Sequence, residues 1–213
     1  MARWVCLFGV LLLLASVTSA QTPRLRVGAG AGMTAATQVH HPKQGLTQNF
    51  ETAVLFGPAV SAFLIRPLAS WSAARMDVGF IRKGHRREGG DRPDVTEIIR
   101  LDMFSLRLSG EARTSIGNGL RAYGLIGPRL DVLVGEESEF EVDGVRQGGR
   151  ITNIRYDELV IGGVLGAGVR FDVGMGDAIQ IEALVDQDIT PAFDNEDLTV
   201  RGRAFMVHAG ILF

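Results

Sequence analysis

The chain has 213 residues, with 22 Lys plus Arg against 24 Asp plus Glu and a formal net charge of −2. That balance argues against a nucleic-acid partner, which asks for a clear basic excess. A single cysteine, Cys6, leaves no disulfide or cysteine–metal chemistry, and four scattered histidines point to no metal site and no cofactor.

Residues 1–20 carry an early positive charge at Arg3, an apolar run from Trp4 to Val17 and small residues up to Ala20. This predicts a signal peptide cleaved before Gln21, with 21–213 as the mature domain. The alternative is a retained anchor, although the run falls short of the roughly 20 residues a membrane helix needs. No later stretch is apolar enough to span as a helix. A membrane protein of this sequence must therefore be a closed barrel, because lipid offers an open sheet edge no hydrogen-bond partner.

From there on the chain reads as strands. Arg24–Thr37 alternates Leu25, Val27, Ala29, Ala31 and Met33 against Arg26, Gly28, Gly30, Gly32 and Thr34. A polar loop is expected over 38–50, with His40 and His41 pointing opposite ways. A second strand covers 52–65, where Pro58 lacks a ladder donor and hints at a bulge. Trp71–Lys83 sets Met76, Val78 and Phe80 against Arg75, Asp77 and Gly79. A charged loop is expected over 84–95.

The fourth strand, 96–113, faces Phe104, Leu106 and Leu108 one way and Arg107, Ser109, Glu111 and Arg113 the other. After a turn at Asn118-Gly119 comes 120–134, with Ile126 and Val132 opposite Arg121, Tyr123, Arg129 and Asp131. The longest expected loop, 135–155, carries Glu136, Glu137, Glu139 and Glu141. Next, 159–173 places Ile161, Leu165 and Phe171 against Gly162, Arg170 and Asp172. Then 178–189 sets Ile179, Ile181 and Val185 against Gln180, Glu182, Asp186 and Asp188. The last strand, 199–213, alternates Phe205, Val207, Ala209, Ile211 and Phe213 with a more mixed set that includes His208.

Eight strands joined by alternately long and short connections predict an all-β, eight-stranded, antiparallel up-and-down transmembrane barrel. The alternative is a soluble lipocalin-like barrel, with the apolar face inward around a ligand. Glycine beside charge on the polar face, and arginine in preference to lysine, favour apolar residues outward and charge in a narrow lumen. Arg75, Asp77, Arg107, Glu111, Arg121, Arg129, Asp131, Arg170, Asp172 and Glu182 are then expected to form a lumen charge network. Arg26, Arg113 and Asp186 share their parity.

The last strand resembles the closing strand of bacterial outer-membrane barrels, in which a final Phe and the alternate apolar positions before it guide assembly. Phe205, Val207, Ala209, Ile211 and Phe213 are the corresponding assembly signal here, and the barrel-assembly machinery the implied partner. Met76-Asp77-Val78-Gly79-Phe80-Ile81-Arg82-Lys83-Gly84, Tyr123-Gly124-Leu125-Ile126-Gly127-Pro128 and Val164-Leu165-Gly166-Ala167-Gly168-Val169 resemble segments of the PorT-like outer-membrane β-barrels. The resemblance runs over essentially the whole mature chain through short, Gly-dominated motifs. It implies the barrel fold, the bacterial outer membrane with its lipid, and an association with cell-envelope protein secretion. It brings no catalytic residue. Pro58, Pro128 and the few Trp and Tyr depart from the pattern.

No catalytic constellation is legible. His208 reads as the only histidine inside a strand, a lumen histidine in a polar network. The leading function is a structural or envelope- and secretion-associated barrel working through loops 38–50, 84–95 and 135–155. The acidic third loop and the second loop's Arg82, Lys83, Arg86 and Arg87 suit oppositely charged partners or lipopolysaccharide, or are simply solvated. The alternatives are a lipid-modifying barrel enzyme and the soluble ligand-binding barrel.

Overall fold

A computed structural model describes residues 24–42, 52–89, 92–143, 145–148, 156–174, 176–195 and 198–213. The expected signal peptide and most of the expected first loop lie outside them. The described residues form eleven strands: β1 (Arg26–Pro42), β2 (Thr52–Ala53), β3 (Leu55–Pro67), β4 (Ser72–Gly89), β5 (Arg92–Gly117), β6 (Leu120–Val142), β7 (Val145–Gly148), β8 (Leu159–Gly174), β9 (Asp177–Asp188), β10 (Phe193–Asp194) and β11 (Leu198–Leu212). Eight of them form an antiparallel ring in the order β1-β3-β4-β5-β6-β8-β9-β11. The ring closes where β1 pairs β11, from Gly28 opposite Leu212 to Pro42 opposite Leu198. Closure leaves no edge for lipid to face. The short strands β2, β7 and β10 attach to β4, β6 and β11.

One end of the barrel is made of tight turns. Asn118 (φ 48°) and Gly119 (φ 76°) link β5 to β6 with both central residues at positive φ, as a two-residue hairpin of matching twist requires. Gly174 and Gly176 take positive φ between β8 and β9. At the other end the strands run on. β4 reaches Gly89 and β5 starts at Arg92, so 84–95 is largely ladder. β6 continues to Val142 and folds back through β7. β1 reaches Pro42, taking His40 and His41 into a strand. Backbone pairing carries on above the point where hydrophobic alternation stops, and alternation was the signal that set the expected ends.

Two prolines sit where the ladders give way. Pairing of β3 with β4 ends at Ala59 opposite Ile81, and β2 resumes it at Ala53 opposite Arg86. Residues 54–58 thus face 82–85, one residue in excess, which is a bulge. Continuing the register puts Pro58 opposite Arg82. Proline has no N–H to give, and the Thr34 hydroxyl lies 2.6 Å from the Arg82 carbonyl instead. Between β5 and β6 the pairs jump from Arg107–Arg129 to Gly110–Ile126, passing over Pro128.

Candidate functional site

The two faces of the wall differ sharply. Outward side chains are apolar and bare: Met33 is 60% exposed, Phe56 68%, Ile126 66% and Leu165 59%. Phe205, Val207, Ile211 and Phe213 lie on the same outer surface, with Ala209 between them. Phe213 stands just past β11, its N–H bonded to the Val27 carbonyl at 2.8 Å. Trp71, Phe171 and Phe213 mark the tight-turn end of this belt and Phe56 and Phe104 its upper part, so phenylalanine supplies most of the aromatic rim. This is the reverse of a lipocalin, whose apolar face is its core.

The inward face is polar and filled. Toward the tight-turn end an apolar floor of Phe63, Ile65, Ala73, Ala178 and Leu212 closes the lumen. Gly28 makes room for it, since a Cβ there would collide with the Phe63 ring. Above the floor, Arg170 bonds both oxygens of Glu111 at 3.1 Å and stacks over the Tyr123 ring, 4.6 Å from its centroid. Arg75 holds Asp77 and grips Glu182 with two bonds of 2.6 and 2.9 Å. Tyr123 donates to the same Glu182 at 2.8 Å. The planar, forked guanidinium suits such bidentate pairs, and each one offsets the cost of removing charge from water.

A second cluster lies higher. Arg129 meets Asp131 and Asp186 at 3.0 Å each and also bonds Asp188. Gly162 makes room for its guanidinium. Lys83 reaches Asp131 at 2.9 Å and Asp186 at 3.7 Å. A larger apolar cluster, including Ile81, Leu101, Met103, Tyr156, Val160 and Ala192, extends toward the upper end. Arg107 is buried between the two charged clusters, its Nη2 3.6 Å from Met206 Sδ.

The residues expected in a single network thus fall into two clusters and a mouth. Arg121 and Asp172 pair at 2.7 Å at the tight-turn mouth, where both are partly solvated. Arg26 bonds the Gly176 carbonyl, and Arg113 donates to the Ala69 and Ser70 carbonyls. Lys83 is the clearest correction: set at the end of the third strand and counted with the second loop's charges, it points inward as a full member of the upper cluster. Parity would have found it, since Arg75, Asp77, Gly79 and Ile81 lead to it in steps of two. Arg82, counted with the same loop charges, faces outward and pairs bidentately with Asp102 at 2.6 and 2.9 Å.

His208 is not the only strand histidine, because His40, His41 and His85 also lie in strands. The His208 Nε2 is 3.2 Å from Ser61 Oγ, and its Nδ1 is 3.3 Å from Glu182 Oε1. Hydroxyl, imidazole and carboxylate stand in the order used for nucleophilic catalysis. Here the carboxylate is already committed to Arg75 and Tyr123, and the floor separates the line from the tight-turn mouth.

At the upper end His40 and His85 pack edge to face, 5.2 Å between ring centroids. Outward polar residues have begun at Thr37 and Arg82, so this pair lies above the apolar belt. Burial, then Arg87 and His41, pull the His40 imidazole down to about 4; burial, then His40 and Arg87, pull His85 down to about 3. Among the described residues no three His, Cys, Asp or Glu side chains gather as a metal-holding group.

No family model matches the sequence, and no curated protein matches it. Among solved structures, the outer membrane protein OprG of Pseudomonas aeruginosa is similar with a TM-score of 0.54 and 10% identity, over 89% of this chain and 95% of that one. Neisserial surface protein A gives 0.48 and 15% identity, over 88% and 95%. AlkL, an outer membrane protein, gives 0.46 and 12%, over 92% and 94%. The likeness to OprG is one of fold, and the chain has the fold of the small outer-membrane β-barrels.

Proposed function

We propose that this chain is an integral outer-membrane barrel that conducts nothing and serves as an anchored platform, its upper end offered to envelope or secretion partners. The observation that carries this reading is the contrast in height around a filled ring. β5 has 26 residues and β6 has 23, whereas β9 has 12 and β3 has 13. A strand needs about 9–11 residues to cross a bilayer, so β4, β5 and β6 raise a sheet well beyond the belt on one side. A wall this tall around a charge-filled lumen fits a binding surface better than a pore.

The secretion-associated form of this reading rests on the resemblance of short motifs in the sequence to those of PorT-like barrels. The outward stripe from Phe205 to Phe213 is proposed as the feature that the assembly machinery recognises. The test is co-purification from detergent-solubilised outer membranes, with and without residues 136–150. Loss of a bound protein on deletion, with the barrel intact, supports the platform; an identical set of co-purifying proteins contradicts it.

The line Ser61–His208–Glu182 favours a second reading, a lipid-modifying hydrolase. Covalent labelling by a fluorophosphonate that is lost in Ser61→Ala, together with changed lipid A masses in overexpressing cells, would establish it over the platform.

A further inference from the structure

The upper rim of the belt carries outward arginines on both sides of the barrel seam, and they differ in what faces them. Arg82 on β4 lies directly opposite Asp102, and Arg100 on β5 opposite Glu137. Both are paired: Arg82 with Asp102, and Arg100 with Glu137 at 3.5 Å and Glu139 at 3.0 Å. Among the described residues, Arg201 and Arg203 on β11 make no such ion pair. Arg203 lies opposite Thr37 and Gln187, and Arg201 opposite Val39. Arg203 Nε donates to the neutral Gln187 Oε1 at 2.8 Å. One step higher, Thr199 donates to Asp194 at 2.6 Å. Two residues apart on one strand, Arg201 and Arg203 point the same way, about 7 Å apart along the wall.

Their height gives the partner. Immediately below them on the same face come Phe205 and Val207, flanked by Val185 on β9 and Met33 on β1, all bare. The pair therefore stands where acyl chains end and headgroups begin. We infer that Arg201 and Arg203 bind the phosphate of an outer-leaflet glycolipid whose acyl chains lie along β11. Two guanidiniums that make no ion pair among the described residues suit a phosphate's several acceptor oxygens, and the apolar strip holds the chains. The inference rests on the membrane reading above, with the tall end outside the cell.

The experiment uses the full barrel in phospholipid nanodiscs, titrated with bisphosphorylated lipid A and with its dephosphorylated form, read by native mass spectrometry. Wild type is expected to retain the phosphorylated lipid selectively. The double variant Arg201→Gln with Arg203→Gln is expected to lose about tenfold or more in affinity, a change of about 1.4 kcal/mol. Arg82→Gln, already paired, should change affinity less than about twofold, and all three proteins should keep the heat-modifiable fold. Equal retention of both lipids, or a double variant that binds like wild type, overturns the inference while leaving the membrane reading intact. A wild-type chain that never enters the nanodisc overturns both.

Discussion

The middle of the barrel and its projecting end use one backbone in two ways. In the middle the strands alternate: apolar residues meet lipid outside, and inside paired charges stand above an apolar floor. Above the belt the rule dissolves. Thr96, Glu97, Ile98 and Ile99 are four consecutive buried residues on β5, and the outward positions of β4 become Arg82 and Arg86. The difference teaches that alternation belongs to the bilayer, not to the strand. Two solvents of opposite character impose a period of two; water on one side and packed protein on the other impose none.

The largest loss is expected at the lower charge cluster. Replacing Glu182 with Ala leaves Arg75 with Asp77 alone and strips Tyr123 of its acceptor. The expected loss is about 3–5 kcal/mol, because the cost lies in the charge left behind rather than in the pair removed. Urea unfolding in lipid vesicles measures it, and a change near zero would mean those charges are hydrated. On the outer face, Val207→Arg is expected to cost about 2–4 kcal/mol if the residue sits near the midplane. His208→Gln, one residue along and facing inward, should cost clearly less. The reverse ranking would put lipid on the wrong side of the wall.

Acidification acts on the projecting end and spares the belt. His40 and His85 are held neutral, at about 4 and about 3, against about 6.5 in an open chain. The opened form therefore takes up more protons, and stability falls as pH drops through 6.5 toward 3. Amide exchange at the upper ends of β1 and β4 should rise across that window and flatten in His85→Asn, while exchange in the belt stays low. The smallest effect is expected at Arg82→Gln, an exposed pair worth below about 1 kcal/mol.

The same contrast explains what the sequence revealed. The eight crossing strands, the turn at Asn118-Gly119, and the inward parity of Arg75, Asp77, Arg129 and Glu182 are all legible, because the bilayer writes the strands into alternate positions and the turn demands residues that take positive φ. Strand ends beyond the belt are not legible, which is why His40 and His85 were expected in loops and Lys83 was counted with a loop's charges. The division of the lumen charges into two clusters depends on register across strands distant in sequence. Arg75 meets Glu182 from 107 positions away, and nothing local announces that.

The barrel is a closed ring whose interior is occupied by its own paired charges. Single-channel recording in planar bilayers tests it most directly. Purified barrel, shown by heat-modifiability to be folded, should give a quiet baseline without stable conductance steps, and removal of Glu182 should introduce noise or steps where the plug is weakened. Large, stable unitary steps from the unaltered protein would contradict the claim.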